Sequence, residues 1–388
     1  MDIPFIFGKI AMGDNFTDRK EETKQLENNF RYCINTIIIS PRRWGKSSLV
    51  HKAAKCAENK NQDLKVCYID LLNVLNIEEF YVLYATELIK AISSKWEEFV
   101  KNTESFLSSL IPKVSISPVP GEEISLTLDM ERLRVNPDEI LDLPEKIAIE
   151  KGITITVCID EFQKIGEWKD SSYLQGKFRS KWQFHQHVGY CLFGSKRHMM
   201  LEIFTDSSKP FYRFGDLIFL KKIPRQDMVT FIQKRFKETN KTIDEETANM
   251  IITLVEDHPY YCQQLAQLSW LRCEDRCNIQ IVKEAHKSLV EQLSLLFTNI
   301  TEDLSLQQLN YLKALLNEEP AISSTATMAK YGITSATSAH RSKKELIRKD
   351  ILDNLDGKIQ FLDPVYKYWL INTFFKLSRN VNYYPGKE

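Results

Sequence analysis

The chain alternates between two textures of apolar residues. Short uninterrupted runs, "TIIIS" at 36–40, "KVCYIDLLNV" at 65–74, "ITITVCID" at 153–160, "VGYCLFGS" at 188–195 and "DLIFLKKI" at 216–223, have the length and β-branched content of buried strands. Between them, apolar positions recur every three or four residues. "FTDRKEETKQLENNF" puts Leu26 and Phe30 on one face, and "GKSSLVHKAAKCAEN" (45–59), the stretch 77–110 and "DEILDLPEKIAIEKG" (138–152) show the same period. Strands separated by helices predict an α/β fold, a parallel sheet with helices on both faces. The rhythm breaks at 111–135, where "KVSISP" and "EISLTL" flank a Pro-Gly pair and predict a β-hairpin insertion.

After Pro224 the strands cease. "RQDMVTFIQKRFKET", "DEETANMIITLVED", "PYYCQQLAQLSWLRC" and "QIVKEAHKSLVEQLSLLFTNI" predict four helices up to residue 300. From 301 the pattern changes again. A helix, "SLQQLNYLKALLNE", precedes a helix-turn-helix in "SSTATMAKYGI" and "TSATSAHRSKKELIRKD". "ILDNLDGKIQFLDP" then predicts a two-stranded wing turning at "LDGK", and "VYKYWLINTFF" a closing helix, together a winged-helix arrangement. The expected division is a core over 1–224 with the hairpin inserted, a helical domain over 225–300 and a winged-helix domain over 301–388.

Composition narrows the picture. With 43% hydrophobic and 27% charged residues the chain suits a globular protein with more than one core. Its 52 basic and 52 acidic residues cancel, so no global pull toward nucleic acid or an anionic membrane is implied. No run reaches about 18 apolar residues, and "MDIPFIFGKIAMGDNF" lacks the basic and long apolar regions of a signal peptide. The expectation is a cytoplasmic protein with no membrane partner. The eight cysteines are scattered, and only Cys273 and Cys277 are close, which reads as reduced core thiols rather than a disulfide or zinc framework.

The chemistry concentrates at strand ends. "SPRRWGKSS", Ser40 to Ser48, joins a strand to a helix and ends in Gly-Lys-Ser, the layout of a phosphate-binding loop. Such a loop needs backbone N–H groups turned inward, a helix N-terminus and a lysine that reaches the outer phosphates. Gly45 allows close backbone approach, Lys46 is the cation, and Ser47 can place its hydroxyl on Mg²⁺. Ser40, Pro41, Arg42, Arg43, Trp44 and Ser48 complete the loop. Ser40 stands where the usual pattern has its first glycine. It is small, and the following Pro41 biases it toward extended geometry, so the expectation is a tolerated change with weaker affinity. "TITVCIDEF" ends a second buried run in Asp160 and Glu161. Carboxylates there call for a partner charge, which a Mg²⁺ held through water by Asp160 would provide. Neighbouring residues on a strand point to opposite sides, so Glu161 is expected to face an attacking water as its base. Ser195, at the end of "YCLFGS", is a third polar group at a strand end, read either as a sensor of the γ-phosphate or as a Gly-Ser turn.

"GDNFTDRKEETKQL", "SPRRWGKSSLV", "VCIDEFQKI", "FRSKWQFHQHVGYCLFGSKRHMM", "KPFYRFGDLIFLKKI" and "DHPYYCQQLA" together resemble the archaeal-type (prokaryotic) AAA-like ATPases of the STAND group of signal-transduction NTPases. The resemblance runs from about residue 8 to 375. It implies a P-loop αβα core that binds ATP or ADP with Mg²⁺, a helical lid and a winged helix. It implies Lys46 and Ser47 as the Walker A pair, Asp160 and Glu161 as the Walker B pair, and Ser195 as the sensor position. It also implies Pro259 against the adenine and the segment 14–19, with Phe16, around base and ribose. Arg213 and Arg179 are candidates for charge stabilisation in the transition state, from the same or a neighbouring subunit, or else for surface salt bridges; a finger supplied in trans would make hydrolysis slow in a monomer and call for a homo-oligomer on activation.

The winged helix carries His340, Arg341, Lys343, Lys344, Arg348 and Lys349 on its candidate recognition helix. They suit contact with duplex DNA, or a solvated face on a domain that reports nucleotide state to the core or to a protein partner. Two functions of different class follow. One is an ATP hydrolase that moves its lid and winged helix. The other is a slowly hydrolysing or non-hydrolysing nucleotide-dependent switch or DNA-binding regulator.

Overall fold

The computed structural model describes residues 3–92, 115–117, 125–127, 137–355 and 357–377. They form two compact units, Arg19–Lys221 and the combination of Met1–Asp18 with Lys222–Glu388.

The first unit is built on β1 (Thr36–Ile39), β2 (Leu64–Asp70), the short pair β3 (Ser115–Ser117) and β4 (Ser125–Thr127), β5 (Thr154–Asp160), β6 (Val188–Gly194) and β7 (Asp216–Phe219). Five of these make one parallel sheet in the order β2-β5-β6-β1-β7. The runs read as strands are buried on both faces, as a parallel sheet under helices requires: Ile37, Ile38, Val157, Cys158, Cys191 and Leu192 are all fully buried. A dense aromatic group of Phe80, Tyr84, Phe162, Phe178, Trp182, Tyr190 and Phe211 fills one side of the sheet. The helix Lys20–Arg31 is fixed to the sheet by Asn29, whose Nδ2 donates to Thr36 Oγ1 and Asp216 Oδ2, both at 3.0 Å.

β3 and β4 pair antiparallel, Ile116 opposite Leu126, as the predicted hairpin requires; the rest of 111–135 lies outside the described residues. So does the second half of the long helix or helix pair expected at 77–110, of which Ile77–Ile92 is described. The second strand is shorter than the apolar run suggests. It ends at Asp70, and Leu71 leaves it to donate its N–H to the Asp160 carbonyl, with Leu72 and Leu75 turned to solvent. β7 likewise stops at Phe219 rather than running to 223.

The second unit begins with helices Arg225–Lys237, Glu245–Leu254, Pro259–Arg272 and Ile279–Glu302, the four expected, with the small parallel pair β8 (Thr242–Ile243) and β9 (Arg276–Cys277) between them. The N-terminal residues pack here: Phe5 is buried against Phe231 and Phe236, and Ile6 N–H donates to Gln263. The winged helix follows. Leu306–Leu316 opens on a capping box of Ser305 and Gln308, then come Thr325–Tyr331, Ala336–Arg348, β10 (Leu352–Leu355) antiparallel to β11 (Lys358–Phe361), and Pro364–Trp369. Ala339, Ser342 and Leu346 turn the recognition-type helix inward, leaving His340, Arg341, Lys344 and Arg348 exposed. No helix among the described residues is long and apolar enough to cross a membrane.

Candidate functional site

In a parallel sheet the carboxyl ends of all strands open on one edge, the place where α/β folds bind ligands. β6 lies between β1 and β5. Three adjacent strand ends therefore present the loop at 40–48, the Gly194–Ser195 turn and the Asp160–Glu161 pair side by side.

The loop is tightly packed at its base and open at its top. Ser40, Pro41, Trp44 and Lys46 are buried, while Arg42, Arg43 and Gly45 are exposed. Gly45 sits at φ 89°, left-handed backbone that only glycine adopts freely, immediately before the helix Lys46–Lys60. Lys46 folds back over the loop: Nζ donates to the Pro41 carbonyl at 3.0 Å and the Ser40 carbonyl at 3.4 Å. Burial drives its pKa down to about 8, against the attraction of Asp160 and Glu161. Ser40 is wholly buried, and its hydroxyl donates to the Pro41 carbonyl at 3.0 Å, the same acceptor that Lys46 uses. Ser40→Gly removes only that local bond, so nucleotide affinity measured by titration should change less than about fivefold, the size of one modest hydrogen bond.

Arg19 supports the loop from outside it. Its guanidinium is buried, donates to the Trp44 carbonyl at 3.3 Å and pairs with Glu22 at 3.2 Å. The sequence places Arg19 only within the segment 14–19 expected around base and ribose; its hold on the loop carbonyl is not legible there.

Asp160 ends β5 with both oxygens engaged. Oδ2 accepts the Ser47 hydroxyl at 2.8 Å, and Oδ1 accepts the Glu161 backbone N–H at 2.8 Å. Burial raises its pKa to about 6, with these two bonds and Lys46 pulling the other way. A hydroxyl and a carboxylate in contact, with the carboxylate short of positive charge, fit a hard divalent cation such as Mg²⁺. Among the described residues no three His, Cys, Asp or Glu side chains group as a metal site of their own, so such an ion would draw its remaining ligands from phosphate and water.

Glu161 does not extend the strand. It turns into left-handed backbone, φ 54° and ψ 35°, so its direction comes from this turn and not from strand alternation. Its Oε2 accepts the Ser195 hydroxyl at 2.9 Å and the side-chain amide of Gln163. Ser47, Asp160, Glu161 and Ser195 are thus linked by hydrogen bonds, and Lys46 is held separately by the loop carbonyls, within electrostatic reach of Asp160 and Glu161.

The other sequence candidates lie apart from these bonds. Arg213 is exposed, in left-handed backbone (φ 53°), with its guanidinium over the Tyr212 ring. Arg179 lies over Phe214 at 4.9 Å, and burial lowers its pKa. Phe16, half-buried and extended, and Pro259, buried at the first position of its helix, belong to the second unit, and their assignment to the adenine rests on the resemblance.

Residues 16–265 match the model of a family described as an ATPase domain predominantly from Archaea, and residues 295–372 match that of a probable winged helix domain. No curated protein matches. Among solved structures, the Walker-type ATPase of Pyrococcus abyssi is 19% identical over 95% of this chain and 99% of its own, with a TM-score of 0.65. The Aeropyrum pernix ORC2 protein, solved as ADPNP–ADP complexes, is 14% identical over 95% and 96%, with a TM-score of 0.55. The Aeropyrum pernix ORC1 protein, solved in complex with DNA, is 11% identical over 97% and 99%, with a TM-score of 0.51. At these identities the likeness is one of fold.

Proposed function

Because the chain belongs to the family of ATPase domains found predominantly in Archaea, we propose that it binds ATP with Mg²⁺ and hydrolyses it at the strand ends of the first unit. The observation that carries this is the bonded cluster of Ser47, Asp160, Glu161 and Ser195 beside a buried Lys46. In this reading the backbone N–H groups of the loop and the Lys46 ammonium hold the β- and γ-phosphates. Ser47 and Asp160 would hold Mg²⁺, which would supply neutralising charge to the phosphates. Glu161 accepts a proton from water as the water oxygen bonds to the γ-phosphorus. The bond from that phosphorus to the β–γ bridging oxygen breaks, and ADP and phosphate leave. Arg213 remains the candidate for a transition-state cation, Ser195 for the γ-phosphate sensor, and Phe16 and Pro259 for the adenine. Residues 225–300 serve as lid and 301–388 as the winged helix that answers to nucleotide state. The fold neighbours of the ORC kind favour an AAA-type placement over the narrower STAND group that the sequence resemblance suggested.

A second reading, a nucleotide-dependent switch that contacts duplex DNA with little turnover, is favoured by the exposed His340, Arg341 and Lys344 on the recognition-type helix. Steady-state phosphate release with Mg-ATP separates the two, run for wild type and Lys46→Ala across protein concentration, with and without duplex DNA. Release that needs Lys46 supports the hydrolase, and a rise per subunit with concentration supports completion by a neighbouring copy. Nucleotide binding with no release above the Lys46→Ala background, and DNA affinity that follows nucleotide state, favours the switch.

A further inference from the structure

Gln163 lies outside the loop and the strand-end pairs, on the 3₁₀ turn Phe162–Glu167 that follows Glu161. Its side chain is 1% exposed. The carboxamide nitrogen donates to Glu161 Oε2, the same oxygen that takes the Ser195 hydroxyl. Its carbonyl oxygen is buried without a hydrogen-bond partner. That arrangement has one orientation. Rotating the carboxamide by half a turn would set its carbonyl against the Glu161 carboxylate, two acceptors face to face.

The carboxamide stands where a neighbouring side chain would be. A Cβ on Gly194 would fall 1.8 Å from Gln163 Oε1 and 3.0 Å from its Cδ. Gly194 is the last residue of β6, and Ser195 follows it directly. The end of β6 therefore supplies both an empty slot for the Gln163 amide and the second donor to Glu161.

We propose that Gln163 is a positioning residue for Glu161, housed by the missing side chain of Gly194. Resting on the hydrolysis reading above, it assigns the two carboxylate oxygens different roles. Oε2 is held by Gln163 and Ser195, and Oε1 is the oxygen that takes the proton from water. An anchored Oε2 fixes the direction of Oε1, and a base acts only within hydrogen-bond reach of its proton.

The test is a double-mutant cycle on kcat for phosphate release, with labelled-ADP affinity measured alongside. Gln163→Ala should lower kcat at least tenfold and leave ADP affinity within about threefold. Gly194→Ala should cause a loss of similar size, because its methyl evicts the amide. The double variant should be no worse than either single. Additive losses, or a Gln163→Ala enzyme with wild-type kcat, overturn the proposal. If wild type itself releases no phosphate, the hydrolysis reading falls, and a second measurement decides the hold on Glu161. In ligand-free protein with selectively ¹⁵N-labelled glutamine, the side-chain amide signals of Gln163, identified by their loss in Gln163→Ala, should move in Glu161→Ala. Signals that stay in place overturn the hold as well.

Discussion

Glu161→Gln is expected to lower phosphate release by about 10²- to 10⁴-fold, the range spanned by a general base, while ATP stays bound with affinity within a few-fold of wild type. The geometry makes the substitution selective. The introduced carboxamide would still present an oxygen to Ser195 and Gln163, because both are donors. Its NH₂ would then occupy the position of Oε1 and could accept no proton. Phosphate binding, which the proposed function assigns to the loop and Lys46, would be spared, and Asp160 would keep its bond to Ser47. Single-turnover phosphate release and filter binding of labelled ATP measure the two quantities separately. A Glu161→Gln protein that turns over normally would remove Glu161 from the chemistry. One that loses nucleotide would make it part of the binding site instead.

Nucleotide affinity should depend steeply on pH above 8. Lys46 is held at about 8 in the ligand-free protein because burial disfavours its charge. A bound polyphosphate places negative charge beside it and restores the protonated form. Below pH 8 the ammonium is already present, and binding takes up no proton there. Above pH 8 each binding event must take one up, so affinity falls toward tenfold per pH unit, roughly twenty- to thirtyfold between pH 7.5 and 9.5. Folding stability responds with the opposite sign. A lysine whose folded pKa lies below its unfolded value weakens the fold while charged, and that penalty is relieved as pH rises from about 8 to 10.5. Asp160 contributes at the other end. Its pKa of about 6 means that Mg²⁺ must displace a proton below that value, so the Mg²⁺ requirement should grow as pH falls through 6. Calorimetry of ADP binding in two buffers of different ionisation enthalpy reads the uptake directly: near zero at pH 7, approaching one proton above pH 9. Equal affinity at pH 7.5 and 9.5 would mean that Lys46 is not the phosphate's cation.

Much of this site could be read from one-dimensional pattern because its parts lie at element boundaries. A buried run that stops at Gly-Lys-Ser or at Asp-Glu marks both the strand and the polar groups gathered at its end. What escaped the reading depends on distance in sequence. The strand order, with β6 between β1 and β5, comes from pairings that include segments more than a hundred residues apart, and local propensity carries no such information. The left-handed turn at Glu161 was hidden because a charged residue after a strand reads equally well as its continuation. Gln163 escaped because its importance comes from an absent side chain on another strand, and Arg19 because its acceptor is a backbone carbonyl, which has no letter in the sequence.

The placement of Phe5 and Ile6 has a consequence for synthesis. Phe5 and Ile6 leave the ribosome well before their partners Phe231, Phe236 and Gln263, with 257 residues separating Ile6 from Gln263. At a translation rate of about 5–20 residues per second, that wait is on the order of ten seconds to a minute. Residues 19–221 are complete before it ends, so the nucleotide-binding unit has its whole sequence available while the apolar N-terminal stretch is still without its core. A nascent chain that folds in this order carries "IPFIF" as an unburied hydrophobic segment until Gln263 has been made.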